Sequence, residues 1–199
     1  MVAPTLHDGL TKDLPPHDRT DDPRTGTAAR IGGLALNGLR LVIGFQFLWA
    51  FLDKSFGLGY ATPGARAWVD GGSPTKGFLS GVSAGPLEGT FNAMAGNAFY
   101  DWLFMAGLLG IGIALLLGVA LRIAAASGGL LLMMMYLASW PLAKIGNGEP
   151  TGSNNPIVDD HLVSALALIV IATFAATSAG YLGRMWADLP LVRSQPWLR

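Results

Sequence analysis

Four apolar stretches constrain this chain more than any other feature. They lie at about 31 to 52, 102 to 121, 123 to 142 and 162 to 182, and each approaches the ~20 residues that cross a ~30 Å hydrocarbon core. Lipid offers the backbone no hydrogen-bond partner, so each stretch can satisfy its own N–H and C=O groups only as a helix. The spacing predicts an all-α, integral membrane four-helix bundle over residues 30–184, with a disordered tail at 1–29 and a C-terminal segment at 185–199. The second and third stretches meet at Arg122 with almost no linker, which predicts an antiparallel hairpin whose turn consumes a few apolar residues. Four crossings return both termini to one side.

Charge then orients the bundle. Lys12, Arg19, Arg24, Arg30, Arg122, Arg184, Arg193 and Arg199 fall on the side of the termini, against Lys54, Arg66, Lys76 and Lys144 on the other. The positive-inside rule places both termini in the cytoplasm of a plasma (inner) membrane protein. Only 13% of residues are charged and the formal net charge is zero, so nothing points to nucleic acid. The absence of cysteine excludes disulfides, iron-sulfur clusters and zinc-thiolate sites, and three scattered histidines make no multi-histidine metal site. Redox chemistry in such a chain has to come from a bound cofactor or a partner subunit.

The 53 to 101 loop between the first two helices faces outward in this arrangement. Among its glycines and prolines it carries Trp68, Phe78, Leu79, Leu87, Phe91 and Met94, anchors suited to lying over the mouth of the bundle. Leu87, Phe91 and Met94 are at helical spacing, which predicts a short amphipathic helix within 86–99.

Ionisable groups inside or beside apolar stretches mark candidate sites. Arg40 lies part-way along the first stretch. At 100° per residue Arg40, Gly44, Phe47, Phe51 and Lys54 share one face, while Gln46 and Asp53 share another. Arg40 either points into the bundle at mid-membrane or snorkels to the cytoplasmic headgroups. At the outer end Asp53, Lys54, Asp101, Asp159, Asp160 and His161 should lie at similar depth. Two readings of that group are open: ion pairs from Lys54 that fix helix order, or a proton-exchanging imidazole and carboxylate, His161 with Asp160 or Asp159, at a shared pocket. Trp102 and Trp140 serve either as interface aromatics or as walls for a planar ring. Arg66, Lys76 and the Gly71-Gly72-Ser73 amides either hold an anion or form a turn.

Taken together, Trp68-Val-Asp-Gly-Gly-Ser-Pro-Thr-Lys-Gly-Phe-Leu79, Trp140-Pro141, Asn154-Asn-Pro-Ile-Val-Asp-Asp-His161 and the Arg40 to Lys54 helix resemble the DoxX/DoxD family of small four-helix membrane proteins, over roughly residues 33 to 182. The resemblance implies a relative of the membrane subunit of thiosulfate:quinone oxidoreductase. Many relatives carry a glutamate in the second helix, where Leu108 to Gly112 is uncharged here.

The first functional expectation is therefore a quinone-linked redox subunit working with a partner subunit in the lipid bilayer. His161 and Asp160 would handle protons, Lys54 and Arg40 would stabilise negative charge, and Trp140, Trp102, Asp159, Arg66, Ser73 and Lys76 would contact thiosulfate or quinone. The second expectation, from a different class, is a non-catalytic scaffold of a respiratory or antioxidant complex. A transporter comes third, since no internal repeat is visible.

Overall fold

The structure, a computed structural model, describes residues 23–175 and 180–198. It is mostly helical, and among the described residues three helices are long and apolar enough to cross a membrane. They are α1 (Pro23–Phe56), α4 (Ala98–Leu117) and α5 (Leu121–Ser139). Between α1 and α4 lie the short helices α2 (Lys76–Leu79) and α3 (Glu88–Met94). A two-stranded hairpin, β1 (Ile145–Gly146) with β2 (Glu149–Pro150), follows α5. Then come α6 (Asp160–Thr173), α7 (Gly180–Ala187) and α8 (Pro190–Ser194).

Several boundaries differ from expectation for local reasons. α1 starts at Pro23 rather than near 31, since proline suits the first helical position and the residues after it tolerate a helix. By its contacts the chain divides between Gly32 and Gly33, and 23–32 are described here only as helix. The rest of the expected 1–29 tail, residues 1–22, lies outside the described residues. α4 is displaced toward the N-terminus because Asn97 caps its start, accepting from Phe99 N–H at 2.9 Å, and Gly118 ends it in a left-handed turn. The N–H groups of Gly118 and Val119 both reach back to Ala114 O, a Schellman-type closure. α5 stops at Trp140, which adopts φ 38° ahead of Pro141. The 14 residues of α6 span about 21 Å, less than a full crossing. The expected fourth segment, 162 to 182, runs through 176–179, which lie outside the described residues. α7 straddles the expected boundary between 184 and 185.

Small residues let backbones approach, as close packing in lipid requires. A Cβ on Gly112 would come within 2.8 Å of Leu48 N, and one on Gly44 within 3.0 Å of Leu115 Cβ, so α1 and α4 cross in near contact. Gly128 of α5 leaves room for Leu168 of α6, Ile111 and Phe47. Around these glycines Phe47, Met105, Leu108, Leu115, Leu121, Leu168 and Ile171 form one buried core. A second cluster joins the inter-helix segment to the end of α5: Leu79, Val82 and Phe91 bury against Ala138. The segment therefore lies over that end of the helices as a cap, and Phe91 and Met94 do the anchoring while Leu87 stays more exposed. Asn147-Gly148 turns the hairpin with both residues at positive φ, the conformation a tight hairpin of this kind requires. At the opposite end of the helices α7 packs against α4, and the last turn, 196–198, packs against α5.

Valine at Gly112 is expected to push α1 off α4 and to destabilise the fold by about 1–3 kcal/mol. At Gly110, where a Cβ meets nothing within 4 Å, alanine is expected to be neutral or stabilising. Thermal unfolding of the two detergent-solubilised variants checks the contrast.

A cationic cavity beneath the cap as candidate functional site

Between the cap and helices α4 and α5 lies a cavity of about 1240 Å³. Its upper wall comes from 61–80 with Phe91, Met94 and Gly96. Its lower wall runs down α4 through Tyr100, Phe104, Gly107 and Ile111, and down α5 from Ala138 to Ser127. Twelve residues of helix on each side, eleven rises of about 1.5 Å, make this wall about 16 Å deep. The charged lining groups are Lys54, Arg66, Lys76 and Asp70, three cations against one carboxylate. They belong to the cap and the end of α1, whereas the α4 and α5 walls are apolar apart from Tyr100 and Ser127.

Lys54 reaches this cavity because it continues the predicted face of α1. Arg40, Gly44 and Phe47 on that face are buried, and Phe51 and Lys54 are half-buried. Lys54 makes no ion pair among the described residues; its Nζ stands 6.0 Å from the centroid of the Phe104 ring. The nearby carboxylates are engaged elsewhere. Asp53, only 2% exposed, accepts from Tyr60 N–H at 3.2 Å and Ala61 N–H at 3.1 Å, which closes the turn after α1. Asp101, 6% exposed, accepts from Thr75 Oγ1 at 2.6 Å, Ser73 Oγ at 2.9 Å and Thr75 N–H at 3.0 Å. It thereby latches the cap to α4. The ion pairs that would fix helix order through Lys54 are replaced by carboxylates bonding backbone and hydroxyl groups.

The Gly71-Gly72 amides do not face a ligand. Gly71 N–H donates to Trp68 O and Gly72 N–H to Ala67 O. A Cβ on Gly72 would collide with Arg66 O, so this segment is a tight turn that needs glycine there. The turn places Arg66, Ser73 and Lys76 along the cavity, with the stem of Lys76 lying over Gly96.

Arg40 sits far from this group, on the same helix 14 residues earlier, about 21 Å away. It is buried, and its Nη1 donates to Leu115 O and, at 3.0 Å, to Leu116 O. These carbonyls lie in the last turn of α4, where Leu115 O also accepts from Gly118 N–H at 3.2 Å, so the guanidinium adds to the capping of the negative end of that helix. Arg40 is thus buried inside the protein, level with the C-terminal end of α4.

His161 and its neighbours form a third, separate group at the start of α6. His161 Nδ1 lies 2.8 Å from Asp159 Oδ2 and 3.5 Å from Asp160 Oδ1. Asp159 Oδ1 also accepts from Leu162 N–H at 2.9 Å, making it the N-cap. His161, Asp159 and Asp160 are not among the cavity lining, and neither are Trp102 and Trp140. Trp102 packs edge-on against Trp68 at 4.6 Å and is largely exposed. Trp140 covers Gly85, where a Cβ would come within 2.9 Å of its ring. The expected shared pocket thus resolves into Lys54 with Arg66, Ser73 and Lys76 on one side, and Asp159, Asp160 and His161 on the other.

Thr75 and Gly107 belong to the latch and the cavity wall, roles that neither residue signals by itself in the sequence. A threonine two residues beyond Ser73, across from a helix-opening Asp101, is a capping pattern only when the cap is folded onto α4. No protein-family profile, curated protein or solved structure matches this chain.

Replacing Asp101 with alanine is expected to free the 73–76 segment at a cost of about 2–3 kcal/mol. Proteolysis of detergent-solubilised protein should then accelerate within 61–80 while the cleavage pattern in α4 and α5 is unchanged. Equal acceleration throughout would show that Asp101 holds more than the cap.

Proposed function

We propose that the protein is a quinone-linked redox subunit of the DoxX family, resembling the membrane subunit of thiosulfate:quinone oxidoreductase. In this reading α6 and the residues after it complete a fourth crossing of the plasma membrane. Both termini are cytoplasmic, the cap lies outside, and a partner subunit supplies or relays electrons. Lys54 is the observation that carries the reading: a cation without an ion-pair partner among the described residues, at the charged end of a cavity whose other end is apolar.

The lining fits a quinone. Phe104 and Tyr100 give flat aromatic walls near Lys54. When bound, a quinone supplies an acceptor of two electrons and two protons. Lys54 and Arg66 donate hydrogen bonds to oxygen atoms, and the excess of positive charge draws in an oxyanion such as thiosulfate. Lys54, half-buried beside Phe104, is better shielded from water than the exposed Arg66, which strengthens its contact. His161, held at Nδ1 by Asp159, keeps Nε2 free for proton exchange at the mouth of α6, outside the cavity lining.

Lys54→Met is expected to weaken binding of a decyl-tailed quinone analogue at least tenfold in nanodisc-embedded protein, and to lower thiosulfate-dependent quinone reduction in membranes by the same factor. His161→Ala should leave binding within about twofold. Unchanged binding in Lys54→Met would overturn the proposal.

A further inference from the structure

The cavity is built on two unlike principles, and its apolar half has no role in holding a ring head. Below Phe104 it continues past Gly107 to Ile111 on α4 and to Ser127 on α5, on the order of two helical turns beyond the lysine. Gly107 borders this continuation: a Cβ there would make one ordinary contact, with Leu131 Cδ2 at 3.8 Å, and meet nothing else within 4 Å, so only a larger side chain would project into the space. The same walls reach the outside of the helices. Leu103 and Leu130 line the cavity yet are 61% and 66% exposed, and in lipid such side chains face acyl chains. The upper side is closed by the cap, which the Asp101 latch and the Leu79, Val82 and Phe91 cluster hold down.

We infer that the cavity takes its ligand sideways from the bilayer, between α4 and α5, and that the ligand is an amphiphile with an electron-rich oxygen head under Lys54 and Arg66 and an apolar chain beside Gly107. Charge complementarity selects the head: three cations and Asp70 favour anionic or carbonyl oxygen over a cationic group. Continuity of the lining with lipid-facing leucines selects the source, because a chain already in the bilayer reaches the groove without the cap opening or the tail entering water. This inference rests on the cavity as the binding site and extends it to the tail, so that affinity depends on chain length as well as on the head.

The test fills the lower half while leaving the head contacts alone. Gly107→Leu occupies the channel beside Leu131. Ser127→Phe fills the far end from an exposed position whose hydroxyl bonds only its own helix, so the fold tolerates it. Full-length protein in phosphatidylcholine nanodiscs is titrated with a tail-less and a decyl-tailed benzoquinone, and with dibromostearate, and bound ligand is counted by native mass spectrometry. Both variants are expected to lose at least tenfold in affinity for the tailed probes and less than twofold for the tail-less quinone. Equal losses for tailed and tail-less probes, or no loss for either, would overturn the inference, as would a wild-type protein that retains no tailed probe. If wild type binds dibromostearate in a Gly107-dependent way but neither quinone, the quinone assignment falls and the sideways amphiphile site stands.

Discussion

The crossing of α1 and α4 carries the rest of the structure. Within two turns of each helix, Gly44 and Gly112 remove the side chains that would hold the backbones apart, and Arg40 bonds the carbonyls of Leu115 and Leu116 where α4 ends. Each device needs the other. A guanidinium reaches two backbone carbonyls of a neighbouring helix only when the axes are close, and a helix end inside the protein is tolerated only when its carbonyls are satisfied. Once α4 is fixed against α1, Phe47 enters the core beside Gly128, and Lys54 is carried to the level of Phe104.

The cavity follows from how the acidic groups are used. Asp53 adjoins Lys54 in the chain and Asp101 opens α4, yet each accepts from backbone N–H or hydroxyl donors and forms no ion pair with Lys54. A buried carboxylate accepting several hydrogen bonds has little left for a cation, and its bonds to a folded segment do not cost the ordering of a long lysine side chain. The cap is thereby tied down, and Lys54 is left without an ion pair among the described residues. Architecture and electrostatics are the same set of contacts.

His161 and the tryptophans show why similar depth did not mean a shared wall. Residues at the end of different helices lie in one layer, but each helix turns its own face inward. The start of α6 folds its two aspartates and the imidazole onto its own N-terminus, and Trp102 and Trp140 cover Trp68 and Gly85. The cavity is instead lined by α4 faces bearing Phe104 and Gly107, which read as ordinary packing positions in the sequence.

Apolar length and glycine content by themselves determined the helical class, the long crossings, the tight α4–α5 hairpin and the buried face of α1 from Arg40 to Lys54, because helix period and bilayer thickness act on local sequence. Tertiary structure alone decided which carboxylates bind backbone and which face a cation, that Arg40 closes a helix rather than a ligand site, and that Lys54 and His161 part company. Those outcomes depend on the rotation of each helix about its axis and on where the cap comes to rest, and both are set by contacts between residues distant in the chain.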